Sequence, residues 1–235
     1  RDPSLASMVL RLANSSFYSR GNRVSSVHQA IGRLGGAKLR ELVVSAAAMQ
    51  LVRGGNRLAG RWRDHCAGTA AVVRELCELK HEVDGSTAFL AGLLHDMGKL
   101  LILDTGELDY ATIDEAKAVS DEVLPPAERF TLDFDHAVLG GHVIRAWGLP
   151  DPLPKLVAWH HQPVRAYSDP EVATPVSLLR VADRLVEAYD AGLDPDVEAI
   201  ARSSDGLWLG IGAQQLLLMQ ERLRQVRAES IAVFT

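Results

Sequence analysis

Residues 88–103 read AFLAGLLHDMGKLLIL, and how this stretch folds decides the reading of the whole chain. As far as Met97 it offers almost no polar face, so a helix over 87–97 has nothing to give to water and belongs at the centre of a helical assembly. It closes on His95 and Asp96, two groups that are expensive to bury unless they are paired. The longest apolar run, Leu90 to Leu103, is interrupted by His95, Asp96 and Lys99, short of the roughly 18 apolar residues of a membrane span.

Working outward, the N-terminal side is helical in pattern. Residues 4–13, SLASMVLRLA, run into the polar Asn14-Ser15-Ser16 break. Ser25 or Ser26 caps VHQAIGRL, which Gly35-Gly36 stops, and AKLRELVVSAAAMQLV closes at Gly54-Gly55. No alternating β-branched run argues for strands there. Residues 58–80 carry Trp62, Thr69, Val72, Leu76 and Leu79 on one helical face. On the C-terminal side, residues 104–133 are acidic, read as a surface helix and loop, and end at a Pro125-Pro126 break. A helix from about Asp135 to Trp147 stops at Gly148 and LPDPLP, and a short one runs from Pro154 to Pro163. Thr174-Pro175 is read as the N-cap and first position of a helix reaching Gly192, and 214–234 as a final amphipathic helix. The fold class is therefore all-α. Residues 1–56 form an N-terminal lobe, 57–192 a core, and 193–235 an extension packed on that core.

The composition, 47% hydrophobic and 23% charged over 235 residues, is that of an ordinary globular protein. Cys66 and Cys77 are eleven apart on a helical stretch, about 16 Å, too far for a disulfide. They read as small core residues in a reducing cytoplasm. The net charge of −5 hides an asymmetry: residues 1–63 hold eleven Lys/Arg against Asp2 and Glu41, +9, and the remainder −14. Mutual neutralisation across an internal interface is favoured over a nucleic-acid surface, because no aromatic interleaving or nucleic-acid motif accompanies the basic segment. The Arg1-Asp2-Pro3-Ser4 start has no signal-peptide layout; it looks like the middle of something.

The chemistry-bearing residues lie on faces that should be buried. His65 is on the stripe Trp62–His65–Thr69–Val72–Leu76; His136 shares a face with Gly140 and Val143; His160 and His161 finish LPKLVAWHH. Asp183 interrupts Val176–Leu179–Asp183–Val186. Any one of these histidines is most simply a core residue bonded to a carbonyl. Five helices each delivering a histidine or aspartate to an apolar face points instead to a shared divalent metal, whose charge the buried carboxylates need. The alternative is a metal-free set of internal pairs, His65–Asp183 and His95–Asp96. His142, six positions or about 240° beyond His136, cannot face the same point, and His28 and His81 sit in polar surroundings.

The pattern His65…His95-Asp96…Asp183 resembles the H…HD…D signature of the HD superfamily, typically metal-dependent phosphohydrolases on a helical fold. The segments DPSLASMVLRLANSSFYS, VSSVHQAIGRLGGAKLRELVVSAA, AFLAGLLHDMGKLLIL and DHAVLGGHVIRAWGLPDPLPKLVAWHH resemble, more specifically, the HDOD domain, the HD-related output domain of bacterial signalling proteins. The likeness covers roughly residues 1–192 and begins well inside that domain, so its first helices are expected to be absent. It implies an HD-type core with a smaller N-terminal lobe, and a regulatory role through a signalling protein partner or a small phosphorylated ligand. By analogy with the related HD-GYP phosphodiesterases, His65, His95, Asp96 and Asp183 would hold one ion of iron or manganese. His136, His160 and His161 would complete a second site, with Asp96 shared and catalytic. Lys99 would neutralise a substrate phosphate. Two departures count against cyclic-di-GMP hydrolysis: Gln162–Tyr167 carries no Gly-Tyr-Pro motif, and Arg61 stands where those enzymes place a glutamate.

Overall fold

The computed structural model describes residues 3–14, 23–36, 39, 42–43, 46–47, 57–106 and 124–234. Every regular element among them is helical. The N-terminal part contributes α1 (Pro3–Asn14) and α2 (Val27–Leu34), and Ser26 caps α2 by accepting from the Gln29 amide. The helix expected over 37–52 lies mostly outside the described residues; Leu39, Leu42 and Ala46 are described and are buried. The acidic stretch 107–123 also lies outside them.

The centre is α3 (Arg57–Leu76), followed by a 3₁₀ turn at Cys77–Leu79. Its buried face is made largely of small residues, Ala59, Cys66, Ala67, Gly68, Thr69, Ala70 and Ala71. Small side chains let neighbouring backbones come close. Next comes α4 (Gly85–Leu94), capped by Asp84, which accepts from the Ser86 and Thr87 amides. It crosses α3 so tightly that a Cβ on Gly92 would lie 2.7 Å from Ala70 Cα. Residues 88–103 are indeed central but are not one helix. The chain breaks at His95–Asp96, Asp96 leaves helical geometry (φ −99°, ψ 11°), and α5 (Met97–Thr105) follows, ending at left-handed Gly106. By length and composition the 85–105 stretch would suit a membrane span, with a mean hydropathy of 1.3, but 78% of that window is buried inside this fold.

Around this pair lie α6 (Leu124–Leu132), α7 (His136–Ala146), α8 (Leu153–Trp159), α9 (Pro163–Tyr167) and α10 (Pro170–Asp190). Two proline readings are corrected. Pro125-Pro126 opens α6 instead of breaking the chain, because a proline in a first turn gives up no intrahelical bond. The Thr174-Pro175 pair does not start α10: Asp169 caps it through the Glu171 amide and Pro170 is its first residue. Pro175 sits inside, where it removes only the bond to the carbonyl of the exposed Glu171, which water can satisfy. Two short helices not read from the sequence follow, α11 (Val197–Arg202) and α12 (Ser204–Leu209), before α13 (Ala213–Phe234), which packs on α3. Cys66 and Cys77 are both free and buried.

Candidate metal centre

The break between α4 and α5 aims His95 and Asp96 into the middle of the bundle, where both are completely buried. α3 brings His65 to them, α10 brings Asp183, the start of α7 brings His136, and the end of α8 brings His160 and His161. The ring centroids His65–His95, His95–His160 and His160–His136 are 5.4, 5.2 and 5.5 Å apart, a continuous row. Two sets of ligand atoms result, each within 4.8 Å of one another: His65, His95 and Asp183, and then Asp96, His136, His160 and His161. Asp96 stands between them. Its Oδ2 is 3.5 Å from His95 Nε2, and its Oδ1 is 3.3 Å from His136 Nε2 and 3.8 Å from His160 Nε2.

The outward side of each ring is as informative as the inward side. Nδ1 of His95 donates to the Gly92 carbonyl at 2.8 Å and Nδ1 of His160 to the Val157 carbonyl at 2.6 Å. Nδ1 of His65 donates to Asp190 at 2.8 Å, and Nδ1 of His136 to Glu128 at 2.7 Å. All four rings are thus fixed with Nε2 toward the common centre, the arrangement that orients metal-ligating histidines. Asp190 and Glu128 were not read from the sequence. Asp190 had a signal, since it continues the Asp183 stripe by two turns; Glu128 had none, lying in a stretch read as surface. Buried completely, Glu128 also accepts from the His136 amide at 2.7 Å, so it holds both ring and helix start. Glu128→Ala is expected to weaken metal binding at the His136 set by about 10–100-fold while sparing the His65 set, read by metal titration.

The metal-free alternative is met only in part. His65 Nε2 does reach Asp183 Oδ1 at 2.8 Å. But His95 Nε2, Asp96 Oδ1 and His160 Nε2 are buried without a hydrogen bond: His95 Nε2 meets Asp96 Oδ2 and Asp183 Oδ1 at 3.5 and 3.6 Å, and Asp96 Oδ1 meets His136 Nε2 and His160 Nε2 at 3.3 and 3.8 Å, lengths of loose ion pairs. Imidazole nitrogens and carboxylate oxygens facing one another at these lengths, His95 in one set and Asp96 and His160 in the other, fit divalent transition metals.

Without an ion, protons on the rings supply the charge that the buried carboxylates need. Burial opposes protonation of His65, but the hydrogen bonds that its ring donates to Asp183 and Asp190 outweigh it and hold the ring well above the usual imidazole range. His95 is raised in the same way, against its burial, by Asp96 and Asp183. For His136, burial and Lys99 are overcome by Asp96 and Glu128, which bring it to about 9. Burial raises the Asp96 and Asp183 carboxyls, yet the surrounding cations win and hold both well below the usual carboxylate range. His160 and His161 are depressed, first by burial and then by the neighbouring rings. Protons on His65, His95 and His136 therefore occupy the place of a cation. Since ligating imidazole must be neutral, metal binding is expected to release protons, and affinity to rise with pH until those rings are neutral. Calorimetric titration in buffers of different ionisation enthalpy, at about pH 7 and about pH 9, reads this; equal proton release at both would contradict it.

Lys99 is 2% exposed and donates to Asp96 Oδ2 at 2.7 Å. Its charge is engaged by the carboxylate beneath the cluster, and it does not line the cleft described below. The expectation that it meets a substrate phosphate is revised accordingly. His142 is exposed and bonded to the Val138 carbonyl; His142→Ala is expected to leave metal content unchanged by elemental analysis. Arg61 is exposed. A cleft of about 470 Å³ opens onto His160, His161 and Asp183 between α6 and α10, so ligands of both sets face it.

The sequence profile of the HDOD domain matches residues 1–163. The chain is similar to an uncharacterized protein of Treponema pallidum (strain Nichols), 23% identical over 207 residues, which span 86% of this chain and 39% of that protein. Among solved structures it resembles an HDOD domain protein of unknown function from Geobacter sulfurreducens, with a TM-score of 0.74 and 20% identity over 99% of this chain and 83% of that one. It also resembles a candidate phosphohydrolase from Shewanella amazonensis SB2B, with a TM-score of 0.74 and 24% identity over 100% of this chain and 84% of that one. At these identities the likeness shows the fold.

Proposed function

The chain belongs to the HDOD family, and on that premise we propose that it is a cytoplasmic regulatory module of bacterial signal transduction that keeps an HD-type metal centre and acts by binding a protein partner or small ligand. The observation that carries the metal part is the two buried sets of ligand atoms, in which His95 Nε2, Asp96 Oδ1 and His160 Nε2 make no hydrogen bond. Two sets of ligand atoms meeting at Asp96 give room for one or two ions. The regulatory part rests on the family and on the absence of Gly-Tyr-Pro in Gln162–Tyr167.

The test is elemental analysis of protein purified without chelator or nickel resin. One or two equivalents of iron or manganese are expected. No metal after anaerobic reconstitution would leave the histidines as core polar residues and refute the assignment.

A second reading, a metal-dependent phosphohydrolase, is favoured by one observation: the cleft reaches His160, His161 and Asp183 from outside. Two ions held there would supply a nucleophilic water and charge neutralisation of a phosphoryl group. The protein's own part would be to fix the rings through Glu128, Asp190, Gly92 and Val157, and to hold Asp96 ionised. Hydrolysis of a phosphomonoester or nucleotide by the metal-loaded protein, lost on chelation, would establish it.

A further inference from the structure

The cleft above the centre is lined by three arginines, Arg129, Arg180 and Arg184, against two carboxylates, Asp183 and Glu187. α10 places Arg180, Asp183, Arg184 and Glu187 on one face, three and four residues apart, so a candidate metal ligand and two arginines share a single stripe. Arg129 reaches the same cleft from α6, with one Nη donating to Asp135 and the side chain about half exposed. The two α10 arginines are anchored from behind by a residue outside the family match. Asp205 on α12 is completely buried and accepts from Arg180 Nε at 2.8 Å and from the Tyr167 hydroxyl at 2.7 Å, with Arg184 Nη1 4.0 Å away. Arg180 also donates from Nη1 to the carbonyl of His160. These contacts engage two of the five N–H groups that a guanidinium offers. The Arg180 side chain remains 14% exposed and that of Arg184 29%.

We propose that Arg180 and Arg184, positioned by Asp205 and faced by Arg129, form an oxyanion-binding arm that holds the phosphoryl group of a small ligand over the metal centre. The inference builds on the reading of this cleft as the mouth of that centre. A planar carboxylate presents two oxygens in one plane and suits a single arginine fork. A phosphoryl group presents oxygens in three directions, which matches donors arriving from α6 and α10 above a floor of imidazoles. The cleft, at about 470 Å³, lies in the size range of small-molecule sites. It exceeds what one phosphate fills, so the phosphoryl group belongs to a larger molecule whose body lies against Pro125, Pro126 and Pro163. Arg180 and Arg184 thereby take the part that Lys99, engaged by Asp96, does not.

The experiment is calorimetric titration of inorganic phosphate, AMP and acetate into the protein, both as purified and after chelation, with metal content measured alongside. Phosphate and AMP are expected to bind and acetate not to; AMP binding more tightly than phosphate identifies a phosphorylated organic ligand as the source. Arg184→Gln is expected to weaken phosphate binding by roughly tenfold with metal content unchanged; Arg129→Gln is expected to weaken it similarly, and because it also unpairs Asp135, the cap before His136, it is scored on protein whose metal content is first measured. Arg180→Gln is expected to do the same, provided thermal melting shows it folded, since it leaves Asp205 with one donor fewer. Unchanged phosphate affinity in Arg184→Gln and Arg129→Gln, or acetate binding as tight as phosphate, would overturn the proposal. Arginine-dependent phosphate binding by a protein that holds no metal would support the arm and refute only the metal reading.

Discussion

Replacing Asp96 by alanine is expected to empty both candidate metal sets at once, whereas Asp183→Ala empties only the one built on His65 and His95. Among the described residues Asp96 is the carboxylate whose two oxygens face different sets, Oδ2 toward His95 and Oδ1 toward His136 and His160. Removing it leaves His160 and His161 without an anion in their set, and a cation there would face imidazoles alone. Asp183 pairs with His65 and His95, so its loss leaves Asp96, His136, His160 and His161 in place. Loss of a direct ligand exceeds the 10–100-fold typical of an outer contact, so the affected set should weaken by at least about a hundredfold. Elemental analysis with circular dichroism on Asp96→Ala, Asp96→Asn and Asp183→Ala separates these outcomes. Full metal content in Asp96→Ala and Asp183→Ala, with the fold intact, would refute the assignment of the site. Loss of all metal from Asp183→Ala would mean that the two sets are filled as one cooperative unit.

Much of this was legible in the residues because polar groups on apolar faces carry a large cost. His65, His95 and Asp183 stood out since each interrupts a helical stripe that had no other reason to be polar, and His142 was excluded by phase alone. What periodicity could not supply was the outward side of each ring. Asp190 continues the Asp183 stripe, yet so close to Gly192 that a carboxylate there passes for a helix end. Glu128 follows the acidic stretch 107–123 in sequence, so its charge reads as one more of that run. The proline readings failed for a common reason: Pro marks first turns as readily as breaks, and the stronger local cap, Asp169 with Pro170, lay only a few residues upstream of Thr174-Pro175.

The boundaries of the centre also differ from the boundaries of the family likeness. The profile match ends at residue 163, but Asp183, Asp190 and Asp205 lie beyond it. Arg227 on α13 pairs with Asp190, Nε to Oδ1 at 3.1 Å, and Asp190 in turn accepts from His65. The segment after residue 163 therefore supplies one candidate ligand, the partner of a second, and the anchor of the cleft arginines. Truncation at the family boundary would remove part of the site as well as its packing.

Gly98→Ala is expected to be the most damaging glycine-to-alanine change among the described residues. A Cβ on Gly98 would lie 2.0 Å from the His136 carbonyl oxygen and 2.8 Å from its Cα. No side chain can move aside there, because the obstacle is backbone. Gly98 follows Asp96 by two residues in the first turn of α5, and His136 opens α7, so relief requires the two helices to separate at the point where their ligands meet. Overpacking in a core costs about 1–3 kcal/mol, and a contact this short against backbone belongs at or above the top of that range. In a chain of this size a loss of about 3 kcal/mol lowers the melting temperature by roughly 6–12 °C. Metal content should fall with it, chiefly at the His136 set, since Asp96 and His136 are what the added methyl pushes apart. Gly32→Ala in α2 is the control: nothing lies within 4 Å of its Cβ position, and alanine is the better helix former there. That variant should melt at or above the parent temperature with its metal intact. A Gly98→Ala protein that behaved the same way would show that α5 and α7 are farther apart than 2.0 Å allows, and would remove the geometric basis for placing Asp96 beside His136.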